Sequence, residues 1–214
     1  MTARPPDHPS ARLPALTPYS LPLLLGRIDR EWSTRGTIFD LAPQRFFQSV
    51  EGCDLSLHGA GRRVATPAGP AAGPHTQLAQ NLVLGWLAGA RSFELKTVQI
   101  LDQLEIERPC IDMATVGFNV EWSQELTLEE SLQEYAKAWL MLAILSEWPP
   151  LREVLGDPGH HVFELSVGYD LAGLQSPRMR RFSDGMLDAG GLLGDLADQI
   201  PSPFSQVLAG LETP

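Results

Sequence analysis

Two short runs, residues 92–98 (SFELKTV) and 162–167 (VFELSV), are largely apolar, rich in β-branched and aromatic side chains, and too short for helices. Between them Thr127 and Glu130 have capping-box spacing, Leu128, Leu132, Tyr135, Trp139, Leu142 and Ile144 keep a helical period, and Pro149 and Pro150 stop it. A second helical pattern over residues 76–87, with Leu78, Leu82, Val83 and Trp86 on one face and Gly89 as its stop, precedes the first run. After the second run, Ser176 followed by Pro177 has the order that opens a helix, here toward Asp188. Strand, helix and strand in this order predict an α/β fold of parallel strands with right-handed crossovers, in a sheet either open or closed into a barrel. About three such units are legible, whereas a closed eight-unit barrel takes roughly 250 residues and builds its usual phosphate site after strands seven and eight.

The rest of the chain adds a periphery. Five prolines fall within residues 1–18, which predicts a mobile, disordered tail. Residues 20–35 carry Leu21, Leu24, Leu25, Ile28 and Trp32 at helical spacing, with Ser20 placed to cap the start and Gly36 to end it. Residues 54–58 and 63–66 read as a hairpin around a turn at 59–62, so that 19–60 form an N-terminal helix and hairpin region. The barrel-like part then spans 61–189, and 190–214 form a weakly patterned C-terminal tail. With 214 residues, 43% of them hydrophobic, the chain can bury one sizeable core. Its 16 basic against 26 acidic side chains give a formal charge of −10, which argues against nucleic acid and anionic membranes as partners. No apolar run reaches the roughly twenty residues of a bilayer span, and the start lacks the order of a signal peptide, so a cytoplasmic location is expected. The two cysteines, Cys53 and Cys110, lack metal-ligand spacing, which predicts neither zinc nor an iron–sulfur site.

Three groups of residues could carry chemistry. The stretch ATPAGPAAGPHTQ (residues 65–77) follows a predicted strand and precedes a predicted helix; its small residues would let a flat ligand approach the backbone, and the helix start could meet an anion. It is neither a Walker loop nor a GxGxxG turn, and a rigid strand-to-helix turn explains it equally well. Glu94, Lys96 and Thr97 lie at the carboxyl end of the first predicted strand, where a compact ammonium could meet negative charge gathering on a reduced ring. The alternative is a lysine reaching out to solvent. Asn119 and Glu121, in GFNVEWSQ within a long connection over residues 99–126, could offer a donor and acceptors to the edge of a flavin or a uracil-like ring, or could simply sit in a turn. Glu105, Glu107 and Asp112 beside Arg108 read as a solvated loop, and His160 with His161 as a surface turn without a third ligand.

Taken together, ATPAGPAAGPHTQLAQNLVLGWLAGARSFELKTVQ, LEIERPCID, GFNVEWSQELTLEE and FELSVGYDLAGLQSPRMRRFSDGMLDA resemble the amino-terminal module of the bacterial selenate reductase subunit family, which is similar to dihydropyrimidine and dihydroorotate dehydrogenase barrels. The resemblance runs from about residue 21 to 189. It implies an incomplete (β/α)8 TIM-type barrel, roughly its first half, that binds FMN: Ala68, Gly69, Pro70, Ala71 and Ala72 would line one flavin face, Lys96 and Thr97 would match a lysine–threonine pair contacting the flavin, and Asn119 and Glu121 would face flavin and substrate. It also implies a truncated flavin-dependent oxidoreductase passing electrons between flavin and an unsaturated heterocycle. No catalytic residue carries over, because the barrels' catalytic cysteine or serine, second flavin lysine and phosphate-gripping glycines fall beyond residue 214. The alternatives are a non-catalytic interaction protein or relic of the barrel's first half and, ranked last, a phosphate-binding module on residues 69–76. An open half-barrel would leave a strand edge and part of an apolar face exposed, so self-association or a partner covering that edge is expected.

Overall fold

The structure, a computed structural model, describes residues 16–49, 51–59, 61–102, 111–112, 118–119, 125–168 and 170–211. The first helix, α1 (Leu21–Arg35), buries Leu21, Leu24, Leu25 and Ile28 and ends where Gly36 enters the left-handed region at φ 64°. Ser20 occupies its cap position without making a side-chain capping bond, contrary to expectation. The carboxylate of Glu31, buried on α1, accepts from the Asp40 amide at 2.8 Å and from Arg27 at 2.5 Å, tying the helix to the turn that comes next. The hairpin is shorter than its sequence suggests: β1 (Leu57–Gly59) pairs with β2 (Arg62–Val64), Leu57 opposite Val64.

Beyond the hairpin, residues 65–70 form no regular strand, and a 3-10 turn at Pro74–Gln77 delays α2 to Ala79–Leu87. The strand β3 (Ser92–Glu94) comes after it. The long connection, expected to be irregular, contains an antiparallel pair, β4 (Ile111–Asp112) and β5 (Phe118–Asn119). It leads to α3 (Leu128–Glu147), whose capping box is formed as its spacing predicts: the Glu130 amide donates to Thr127 Oγ1 at 3.2 Å and the Thr127 amide to Glu130 Oε2 at 2.9 Å. Pro149 and Pro150 end α3 but also begin α4 (Pro149–Leu155), because proline's missing amide costs nothing in a first helical turn. Then come β6 (Val162–Glu164), the short α5 (Leu171–Leu174), and α6 (Pro177–Leu187), where Ser176 Oγ accepts from the Met179 amide at 3.2 Å. Residues 190–211, expected as a weakly patterned tail, instead form α7 (Gly190–Ala197) and α8 (Phe204–Gly210), with Leu196, Ile200 and Phe204 buried in the core.

The architecture is α/β. β3 pairs in parallel with β6, Glu94 opposite Glu164, and residues 68–70 lie along the other side of β3: the Ala68 carbonyl accepts from the Arg91 and Ser92 amides at 2.9 and 3.3 Å, and the Pro70 carbonyl from the Glu94 amide at 3.2 Å. Three parallel lines thus lie side by side in chain order, with α2 and α3 as crossovers. Among the described residues they do not close into a barrel. One face of β3 and β6 carries Phe93 and Phe163, ring centroids 5.3 Å apart, against the helices. The other presents Ser92, Glu94, Glu164 and Ser166, with Glu94, Glu164 and Ser166 exposed. Trp139 at 47%, Val167 at 37% and Leu187 at 88% border a cleft of ≈ 1060 Å³ on the helix side of β6.

Arg91 seats the start of β3. Its buried guanidinium donates to the carbonyls of Trp86, Ala90 and Pro158, each at 2.7 Å, and stacks over the Trp86 ring; burial lowers its pKa to about 10, so it stays charged at neutral pH. On the opposite flank Gly69 is pressed against β3. A Cβ there would lie 1.4 Å from the Ser92 carbonyl oxygen, a collision with backbone that no rotamer relieves. Gly69→Ala is therefore expected to lower stability by about 3 kcal/mol or more in urea unfolding; a loss under about 1 kcal/mol would show that the 68–70 line does not pack on β3 this closely.

Candidate functional site

The carboxyl ends of the three lines hold the first two candidate groups. Two residues beyond the Pro70–Glu94 bond, the Ala72 amide donates to Glu94 Oε2 at 3.1 Å, so the small-residue segment and the end of β3 are fastened together. Past Glu94 the pairing with β6 slips. Val98 bridges Val167 in parallel, four positions beyond Glu94 but only three beyond Glu164. The hydrogen bonds agree: the Leu95 amide donates to the Glu164 carbonyl at 2.9 Å and the Val98 amide to that of Ser166 at 3.4 Å. One extra residue is therefore accommodated between Leu95 and Val98, which defines a β-bulge.

The bulge falls on Lys96 and Thr97. Leu95 and Lys96 are both buried, breaking the alternation of a flat strand, and the Lys96 carbonyl is taken up by the Tyr135 hydroxyl of α3 at 2.9 Å. Lys96 is 4% exposed, so the solvent-reaching alternative for this lysine is excluded. Thr97 is half-buried beside Gly168. Asn119 lies on β5 opposite Ile111, in the connection that leaves this end of the sheet. Glu121, like Glu105, Glu107, Arg108 and Cys110, lies outside the described residues.

The two ends of that connection are pinned together. Asp102 Oδ1 accepts from the Leu128 amide at 2.9 Å, at the start of α3, while its Oδ2 meets Arg178 of α6 at 2.5 Å. Arg178 also grips both carboxylate oxygens of Glu129, at 2.8 Å through Nε. Gln77 Oε1 accepts from the Glu125 and Leu126 amides at 3.1 and 3.3 Å. Residues 102 and 125–128 are thus held against α2's entry, α3 and α6.

Two sequence readings change. The start of α2, considered as an anion site, is already served from inside: the Ala79 amide donates at 2.8 Å to Glu134 Oε2, and the other oxygen of that buried carboxylate pairs with Lys137, which donates in turn to the Tyr19 carbonyl at 2.7 Å. A phosphate at the Ala79 amide would have to displace a buried ion pair. His161 is not a surface residue but half-buried between the rings of Phe93 and Phe163; burial, with Arg91 nearby, lowers its pKa to about 4 and keeps it neutral. Among the described residues no group of three potential metal ligands converges. Neither the cleft beside β6 nor a second of ≈ 840 Å³ between α1, α4 and α8 is lined by residues 68–72, Lys96 or Thr97. Sequence reasoning missed Tyr135, Glu134 and Arg178 as residues that shape the site; the signal that could have pointed to the two buried lysines is their rarity, since Lys96 and Lys137 are the only lysines in the chain.

Residues 39–193 match the family described as oxidoreductase YgfK, N-terminal TIM-barrel domain, and the chain belongs to that family. The match includes β1 to β6, α2 to α6 and every candidate residue named above. The chain is also 46% identical over 178 residues to the proteins named "Putative oxidoreductase YgfK" of Escherichia coli strain K12 and of Escherichia coli O157:H7, an alignment covering 81% of this chain and 16% of each of theirs. The chain thus spans about one sixth of the length of these relatives. No solved structure matches it. Among the described residues no helix is long and apolar enough to cross a membrane.

The Arg178 clamp makes a pH-dependent contribution. Hydrogen bonds from Arg178 hold the Glu129 carboxyl at about 2, down from 4.5, so its stabilisation is complete above pH 4.5 and is lost as pH falls through about 2. Glu129 is largely exposed, which limits the effect to about 1 kcal/mol. In urea unfolding, the stability difference between the native chain and Arg178→Met should be constant near neutrality and shrink between pH 4.5 and 2; a difference independent of pH over that range would dismiss the clamp.

Proposed function

We propose that this chain forms the opening part of an FMN-binding barrel oxidoreductase, with Ala68 to Ala72 against one face of the flavin ring, Lys96 and Thr97 at its pyrimidine edge, and Asn119 and Glu121 toward flavin and an unsaturated heterocyclic substrate. The observation that carries the reading is Lys96: a lysine buried at a bulge at the carboxyl end of parallel strands, just past the stretch of β3 to which the Ala68 and Pro70 carbonyls are bonded. In α/β sheets and barrels this end is where ligands bind. Membership of a family of oxidoreductase TIM-barrel domains supports the same reading.

The residues fit a flavin in chemical kind. A buried ammonium, poorly hydrated, favours negative charge placed beside it, and the pyrimidine edge of a flavin gains such charge on reduction. Flavin would supply hydride acceptance and release; the chain's part is to hold the cation and fix the small-residue backbone to β3, through the Ala68 and Pro70 carbonyls bonded to β3 and the Ala72 amide bonded to Glu94. The electron donor and acceptor of a complete enzyme would involve segments present in the longer relatives.

A second reading, an interaction protein keeping the barrel's first half, draws on the apolar rim of Trp139, Val167 and Leu187 beside β6. In either reading the β6 edge is covered by self-association or a partner strand. Light scattering of the purified chain should then give a mass above 23.4 kDa, and a sharp monomer peak would remove that expectation.

Titration of the chain with FMN, monitored by flavin fluorescence, separates the two functions. Saturable quenching is expected, with Lys96→Ala weakening binding about tenfold, ~1.4 kcal/mol. A colourless protein that leaves FMN fluorescence unchanged would favour the interaction protein, and equal affinity of the two chains would reject the role of Lys96.

A further inference from the structure

We propose that Tyr135 is the positioning residue for Lys96: its hydroxyl, by holding the Lys96 carbonyl, fixes the bulge and with it the direction of the ammonium. The consequence for a ligand rests on the flavin reading above; the positioning itself does not. In an unbroken parallel ladder the carbonyl would bond to a neighbouring strand, but the extra residue turns it toward the helices, where Tyr135 receives it at 2.9 Å. Tyr135 is 1% exposed and Lys96 4%, so water is a poor substitute for either partner. Burial pushes the Tyr135 phenol's pKa up, which keeps the hydroxyl a donor. α3 presents it rigidly: the capping box and the Arg178–Asp102 contact fix its start, and the adjacent Glu134 is bonded to α2.

Without the hydroxyl two outcomes compete. The carbonyl can stay turned and unsatisfied, or the bulge can move along the strand. A one-residue slip sends each side chain it passes to the other face of the sheet, so the second outcome would redirect Lys96. Tyr135 thus selects one of two registers at the one strand position where register decides which way the cation lies.

Lys96 and Lys137 are the chain's two lysines and both are buried, which gives an internal standard. Competitive acetylation of the purified full chain, without flavin, read by peptide mass spectrometry, compares the two amines in one sample. In Tyr135→Phe the labelling of Lys96 relative to Lys137 should change by about fivefold or more, because the ease of reaching a buried amine depends exponentially on the free energy of its local environment. General loosening would raise both lysines together; that result, or an unchanged ratio, overturns the proposal. Tyr135→Met, apolar and flexible enough to refill the space, is the second variant should the phenylalanine chain not fold. If the native chain binds FMN, Tyr135→Phe and Lys96→Ala should each weaken it, and the double variant no more than Lys96→Ala alone; full additivity would overturn the proposal. If the native chain binds no FMN, the flavin reading fails while the lysine ratio still decides this one.

Discussion

The slip of one residue between β3 and β6 organises this molecule. Up to Glu94 the strand keeps strict alternation, with Phe93 and Leu95 in the helix-covered core and Ser92 and Glu94 on the other face; beyond it Val98 has to return to the core opposite Val167. Both conditions hold only if the extra residue is absorbed between them. The interruption leaves a backbone carbonyl to be satisfied in a dry place, and α3 supplies the donor. The long connection is anchored close to this point, since it departs at Asp102 and returns at Leu128 through contacts shared with Arg178.

The elements that show in the sequence are those whose cause is local. The run SFELKTV forms a strand over its first three residues, Thr127 and Glu130 make their capping box, and Ser176 with Pro177 begins a helix, because each signal acts within a few residues. Pro149 and Pro150 read as a stop although they are equally a start, since the sequence does not show whether a chain halted by proline turns into a loop or another helix. α7 and α8 escape notice because Gly190, Gly191 and Gly194 weaken helix propensity and because their stability comes from placing Leu196 and Phe204 against the core, which is tertiary information.

The site is legible to a different depth. Lys96 and the small-residue segment stand out by type and spacing, yet their relation to each other is a matter of register, which residue identities alone do not encode. Tyr135 counts in the sequence as one more apolar position of a helix; its hydroxyl has a partner 39 positions away. Glu134, on the same helix and fully polar, looks like an error in the apolar pattern until the Ala79 amide is placed beside it. Buried polar groups are where patterning and structure part company, because each is stable only through a partner the pattern leaves unnamed.

Gly69 shows why small residues are an ambiguous sign of a ligand. Its lack of a side chain is demanded by the Ser92 carbonyl, a requirement complete without any cofactor. A composition argument from Gly and Ala therefore counts packing and binding as one signal. The lysines separate them. Each of the two lysines is buried, and a lysine supplies there what the buried guanidinium of Arg91 does poorly: a compact charge on a flexible stem that can be turned by its backbone. In Lys137 that charge closes the Glu134 cap on α2. In Lys96 it is carried on a bulge, and a bulge is a means of aiming a side chain that packing alone would leave on the other face.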